Sequence, residues 1–227
     1  MFVARAVSVL VFPEIGDCNQ AIDHLIESRR TIRRFTSEVP PMELIEKVIQ
    51  AGLLAPYSGI GVSREDFRRF VVIPRESESL AQIATLLKCR AGTLYVQLEE
   101  QLNRNASLKS RGEAYLIRLK FISQQGVPNL GKAPYYIVVA EQRGIPSVEQ
   151  LSLAHCLQNM WLKAVALGLG FQLLSITEQM ANDKEFCGLI GIPVGEFALD
   201  GCLLGYPEVV PQPPKRPRID EVTKWLS

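Results

Sequence analysis

The run Tyr135-Tyr-Ile-Val-Val-Ala140 constrains this chain more than any other feature. Its β-branched and aromatic side chains suit a pleated, packed surface, and it continues to Glu141 before polar residues resume, so Tyr135–Glu141 reads as a central strand. Two further runs agree with it: Phe70-Val-Val-Ile73, closed by Pro74, and Phe197–Tyr206, which carries Gly201 inside it. The longest apolar stretches, Ala6–Phe12 and Tyr135–Ala140, are far shorter than the roughly 18 residues a membrane span needs.

Helical periodicity fills the intervals. Apolar positions Ile22, Leu25 and Ile26 predict a first helix from Asn19 that runs into the arginines and stops near Phe35-Thr36. Pro40-Pro41 opens a second, with the stripe Leu44, Ile45, Val48, Ile49 and Leu53 ending at Ala55-Pro56. Tyr57–Asp66 is a loop. Ser77 or Ser79 caps a helix through Lys88, and Thr93–Ser123 predicts two more with one wet face. Ser147-x-x-Gln150 has the form of a capping box before a long apolar helix to Leu167, and Gly168 and Gly170 end it ahead of a strand over Phe171–Ile176. Asn182 or Asp183 starts a short helix that Ile192-Pro193 ends. The proline-rich stretch Glu208–Arg218 is extended, and a last short helix spans Asp220–Leu226.

Composition excludes several function classes. With 25 Lys+Arg against 24 Asp+Glu, the chain lacks the basic field that bulk attraction to nucleic acid or anionic lipid requires. A hydrophobic content of 47% at a net charge of +1 excludes general disorder. The cysteines Cys18, Cys89, Cys156, Cys187 and Cys202 are odd in number and never form C-x-x-C, which argues against a disulfide framework, a metal site or an iron–sulfur cluster and for a reducing cytoplasm. Residues 1–20 lack a small-x-small cleavage site and are expected to be a folded extension, a strand, before a single domain over 21–227.

The chemistry-bearing residues concentrate at the two ends. Arg29-Arg30-Thr31-Ile32-Arg33-Arg34-Phe35 holds four arginines and a hydroxyl, and guanidinium forks suit phosphate oxygens. Cations at a helix C-terminus more commonly compensate the helix dipole. A second cluster, Lys215-Arg216-Pro217-Arg218, lies in the tail, and the pair gains meaning if both converge on one anion. The Gly168-Leu-Gly170 segment follows a helix, whereas a dinucleotide fingerprint follows a strand, so it is no Rossmann motif. His24 and His155 have no partner at metal or triad spacing.

In their order these pieces resemble the nitroreductase superfamily of FMN enzymes. The resemblance runs from about Ala21 to Leu226 and rests on Arg29–Phe35, Ala164–Gly170, Gly191-Ile192-Pro193, Leu204–Pro207 and Pro213–Pro217. It implies an α+β fold with a central mixed or antiparallel sheet packed between helices, in a domain-sharing homodimer. It also implies an FMN whose phosphate is held by Arg29, Arg30, Thr31 and Arg33 and by Lys215 or Arg216 of the tail. Pro56-Tyr57-Ser58 sits where the family has the Pro-Ser-Ser that arrives from the other subunit. Leu174-Ser175-Ile176 matches the segment whose backbone N–H groups lie near flavin N5. After Ser58 the family commonly continues Asn-x-Gln-Pro-Trp, where this chain has Gly59-Ile-Gly-Val-Ser-Arg-Glu-Asp-Phe67.

The implied reaction is ping-pong: NADH or NADPH reduces the flavin, leaves, and a small electron-poor acceptor such as a nitroaromatic or quinone takes its place. No side-chain acid or base is required, so no catalytic residue is assigned. The alternatives are another flavin reaction on the same scaffold (ene reduction, dehalogenation, dehydrogenation) or a flavin-binding protein without turnover.

Overall fold

The central run forms β2 (Tyr135–Gln142), in which Tyr136 through Glu141 are all buried. The computed structural model describes residues 15–57 and 67–226, apart from the side chains of residues 15–17 and 106. The N-terminal strand expected within residues 1–14, Ser58 and the loop 59–66 lie outside the described residues.

β2 pairs antiparallel with β1 (Arg68–Pro74) on one side and β4 (Phe197–Gly205) on the other, and β3 (Gly170–Leu173) pairs with the far side of β4. The order is β1-β2-β4-β3, so the ladder is wholly antiparallel. Successive side chains of a strand point to opposite faces, and here both faces are covered. Tyr136, Val138, Ala140, Leu199 and Leu203 enter one cluster with Ile83 and Leu87 of α3 (Glu78–Arg104), Leu119 and Ile122 of α4 (Ala106–Gln125) and Phe186 of α6 (Lys184–Ile190). Ile137, Val139, Ala198, Cys202 and Leu204 enter the other, with Ile45 and Val48 of α2 (Met42–Leu53) and Leu153, Leu157 and Met160 of α5 (Glu149–Ala166). Burial on both sides explains why the strand has no polar alternation. Among the described residues no helix is long and apolar enough to cross a membrane.

Several expectations change in position or kind. α1 spans Ile15–Ser28, so residues 15–20 are helical and the helix ends before the arginines. Arg29–Phe35 is extended instead: the Ile32 N–H donates to Phe171 O (3.0 Å), and the Thr36 N–H donates to Tyr206 O (2.9 Å). Pairing with the sheet end wins over helix continuation there, helped by the β-branched Thr31 and Ile32. α3 runs on past Lys88, and the break before α4 falls at Asn105, whose side chain accepts from the Ser107 N–H at 3.1 Å. Ser147 and Gln150 form no capping box. Val148 is the N-cap of α5, and Glu149 accepts from the Gly144 N–H (2.6 Å) and the Ser147 hydroxyl (2.8 Å).

The strand expected over Phe171–Ile176 stops at Leu173 and gives way to a short 3₁₀ helix, Ser175–Met180. The cause is local, since the Thr177 hydroxyl and N–H both donate to Leu174 O, at 2.7 and 3.0 Å. Asp183 caps α6 through the Phe186 N–H, and the tail is extended up to α7 (Ile219–Val222), shorter than the helix expected there.

β4 carries a carboxyl within this sheet. Asp200 of β4 lies opposite Val139 and accepts from the Gly201 N–H at 2.7 Å. Burial pushes it up to about 6, the Gly201 bond opposes this, and Glu178 adds to it. The folded protein therefore holds this proton where the unfolded chain, with an ordinary Asp near 3.9, has lost it. Its contribution to stability is complete below about pH 4 and lost as pH rises to about 6. Asp200→Asn keeps an acceptor for Gly201, and in urea titrations it should gain on the natural chain by about 2–3 kcal/mol between pH 4 and 6.5; parallel stability profiles would refute the assignment.

Candidate functional site

The extended arm after α1 is built by close approach to the end of the sheet. Thr31 forms a parallel bridge with Phe171, and Phe35 an antiparallel one with Pro207. Between them Ile32, buried, lies over Gly170, where any Cβ would stand 2.8 Å from Ile32 Cγ2. Only glycine lets the arm come this near.

The arm carries cations to the N-terminal edge of that contact. The Arg29 guanidinium lies over the Trp161 ring of α5, 4.2 Å from its centroid, and Trp161 in turn stacks on Phe171 at 5.0 Å and 17°. The indole N–H donates to Arg30 O at 3.2 Å, so one side chain supports both arginines. Arg30 Nη1 donates to Arg29 O at 2.8 Å and also to Glu27 O. Its Nε is buried and finds no acceptor among the described residues. Such a donor is costly to leave unpaired.

The tail returns to the same place. A cleft of about 860 Å³ is lined by Arg29, Arg30 and Thr31 from the arm, Pro213, Pro214 and Arg216 from the tail, Gln158 from α5 and His24 from α1. Arg29 has its pKa lowered by burial first, and then by Arg216 and Arg30. The positive charges thus stand close enough to repel one another, an arrangement that an anion relieves. Arg218 is turned elsewhere, pairing with Asp220 at 3.0 Å.

The other residues singled out from the sequence do not all meet here. Arg33 and Lys215 are exposed and stand outside the lining of the cleft. Leu174, Ser175 and Ile176 line a separate cavity of about 100 Å³, together with Gln172 and with Tyr115, Arg118 and Leu119 of α4. The Leu174 N–H is already bound to Gly201 O at 2.8 Å. The amides free of an intrahelical acceptor at that corner are those of Ser175 and Ile176, at the start of the 3₁₀ turn. Pro56 and Tyr57 lie at the end of α2. The Tyr57 ring packs against Phe67 at 4.6 Å and its hydroxyl donates to Gln142 O at 3.3 Å. One chain therefore holds three separate groups: the cationic cleft, the β3 corner and the α2 end.

Trp161 and Gln158 escaped the reading of the sequence. Both sit within the apolar helix α5, and nothing in a helical stripe marks Gln158 as lining a cleft or Trp161 as lying beneath an arginine.

The model described as Nitroreductase family matches residues 26–206. A nitroreductase with bound FMN from Bacteroides fragilis NCTC 9343 is similar in structure over 92% of this chain and 100% of its own, at 16% identity and a TM-score of 0.66. A BluB-like flavoprotein from Clostridium difficile 630 is similar over 91% of this chain and 99% of its own, at 22% identity and a TM-score of 0.67. An iodotyrosine deiodinase bound to FMN and 3-iodo-L-tyrosine is similar over 91% and 99%, at 23% identity and a TM-score of 0.63. At these identities the structural likeness is one of fold. No curated protein sequence matches the chain.

The contact that seats the arm is open to test. Gly170→Ala forces Ile32 off the sheet end and should cost about 1–3 kcal/mol in urea unfolding. Adding Ile32→Ala should recover part of that loss, giving a coupling of about 1 kcal/mol in a double-mutant cycle. Strictly additive effects would show that Ile32 and Gly170 do not set the position of the arm.

Proposed function

This chain belongs to the nitroreductase family, and from that premise we propose that it is an FMN-dependent oxidoreductase that uses NADH or NADPH to reduce a small electron-poor acceptor, such as a nitroaromatic or a quinone. The observation that carries the proposal is the meeting of Arg29, Arg30 and Thr31 with Arg216, which lies 185 or more positions further along the chain (216 − 31 = 185), around one cleft. A phosphate fits it. The unpaired Arg30 Nε gains an acceptor, the Thr31 hydroxyl donates a further bond, and the mutual repulsion around Arg29 is relieved. Arg33 and Lys215 reinforce the positive potential from outside the cleft.

The redox chemistry would be that of FMN, a two-electron exchange with the nicotinamide and then with the acceptor in a ping-pong sequence. The chain's own residues bind and orient. The face of Trp161 holds Arg29 in place, which limits the freedom lost on binding. The Ser175 and Ile176 amides, with Leu174 behind them, are the donors assigned to the reactive edge of the ring. In this reading Pro56, Tyr57 and Ser58 serve the flavin of a second protomer. A homodimer is supported by a mainly apolar groove of about 310 Å³ on the face of α1, α2 and α5, where Leu25, Leu54, Leu162 and Ala166 stand beside Asn159 and Lys163. Leu54 at its rim is 75% exposed in the single chain.

The purified protein should carry the visible bands of a flavin, lose them under anaerobic NADH or NADPH, and regain them when a nitroaromatic or quinone is added. In apoprotein titrations, Arg29→Ala with Arg216→Ala should weaken FMN by roughly 1.5–3 kcal/mol for each charge-assisted bond removed. Unchanged FMN affinity in that variant would overturn the phosphate assignment. Flavin bands that neither nicotinamide bleaches would leave a flavoprotein with another electron donor.

A further inference from the structure

The most deeply buried ion pair among the described residues lies away from the cationic cleft. Arg68 opens β1, and Glu141 lies directly opposite it on β2. Their ion pair is 2.9 Å long, with the two side chains 1% and 0% exposed. Burial holds the Glu141 carboxyl above its ordinary range, although Arg68 and Ser152 both act to lower it. Buried pairs of this kind are commonly no more stable than apolar residues of the same volume. Its worth has to be sought in what it places.

The rest of the guanidinium supplies the answer. Nη1 donates to Gly52 O at 2.8 Å and to Ala55 O at 3.1 Å, and Nη2 donates to Pro56 O at 3.4 Å. These carbonyls belong to the last turn of α2 and to Ala55 and Pro56 beyond it; Gly52 O also accepts from the Ala55 N–H at 3.1 Å, so Arg68 adds to the turn that closes the helix. A rigid planar fork fixes three such carbonyls in direction as well as distance. The next residue, Tyr57, is held from its other side by Phe67 and by the Gln142 carbonyl, one position beyond Glu141. Arg68 and Glu141 therefore set the angle at which Pro56-Tyr57 leaves the body of the protomer.

We propose that Arg68, braced by Glu141, is a positioning residue that acts across the dimer: it aims Pro56-Tyr57 of its own protomer at the flavin held by the other. This rests on the reading that FMN is bound between two protomers with its phosphate on the arginine cleft. Arg68 touches neither cofactor nor substrate in this scheme, and its effect passes through the backbone of residues 52–56.

The test uses full-length chains carrying two different affinity tags, co-expressed and purified through both, stripped of flavin and titrated with FMN. Arg68→Met with Glu141→Met removes the pair and keeps an apolar filling but leaves Ala55 O and Pro56 O without their donor, so the chain should still fold with a thermal midpoint lowered by a few degrees. The homodimer of that variant should bind FMN about tenfold more weakly, the equivalent of one lost contact. A mixed dimer with Arg68→Met/Glu141→Met on one protomer and Arg29→Ala/Arg216→Ala on its partner then decides direction. Action across the dimer puts both defects into one flavin site and leaves the other intact, so one FMN should bind with natural affinity.

With both sets of changes on the same protomer and a natural partner, no site of natural affinity should remain. The reverse pattern, none in the first mixed dimer and one in the second, would place the effect of Arg68 within its own subunit and overturn the proposal. Natural FMN affinity in the Arg68→Met/Glu141→Met homodimer would overturn it too. If instead the Arg29→Ala/Arg216→Ala homodimer keeps full affinity, the phosphate reading itself fails, and the proposal falls with it.

Discussion

Two strands with no solvent face govern this structure. β2 is buried from Tyr136 to Glu141, and β4 over all but Asp200. A strand buried on both sides needs a layer of helices on each, and the chain supplies α2 and α5 for one and α3, α4 and α6 for the other. Once those layers are in place, the openings left to function are the ends of the sheet. The arginine cleft, the β3 corner and the end of α2 all lie where strands or helices stop.

The polar groups that this core does admit follow the same logic. Tyr136 meets the Thr177 hydroxyl at 2.7 Å, and Thr177 meets Leu174 O, so a hydroxyl chain locks the 3₁₀ turn against β2. Glu141 is matched by Arg68, and through Arg68 the sheet grips the end of α2. Both of these polar contacts thus join the packed interior to a segment at its margin. An apolar substitute at these positions fills the same volume but fixes no direction, because dispersion is indifferent to orientation whereas a hydrogen bond is not.

This also separates what was legible in the sequence from what was not. The run Tyr135–Ala140 declared its strand because burial on both faces selects an apolar residue at almost every position, and Phe70–Ile73, of which only Ile73 is fully buried, declared its own through β-branched and aromatic propensity. The arginines by residue type allowed an anion site beside the commoner reading as helix-end cations, and the structure gathers Arg29, Arg30, Thr31 and Arg216 around one cleft. Their backbone was misread, since Arg29–Phe35 follows an unbroken helical stripe and its extended form depends on Phe171 and Tyr206, more than a hundred residues away. The Arg68 and Glu141 pair lies 73 positions apart and was invisible for the same reason. Local propensity reports on neighbours in the chain, and both features belong to partners across the sheet.

The arginine cleft then stands in a definite relation to the rest. Bringing Arg29, Arg30 and Arg216 together opposes folding, since their charges repel and Arg29 is partly desolvated. The opposition is met by apolar contacts next to it: Trp161 beneath Arg29, Phe171 beneath Trp161, and Ile32 on Gly170. All of these belong to, or rest against, the core cluster on the α5 side of the sheet. A bound anion reverses the sign of the electrostatic term without disturbing those contacts. It therefore stabilises the folded chain by an amount set by its own affinity and concentration. For the anion proposed to fill the cleft, its retention and the stability of the arm are in this way two readings of one free energy, and the aromatic stack beneath Arg29 is where they join.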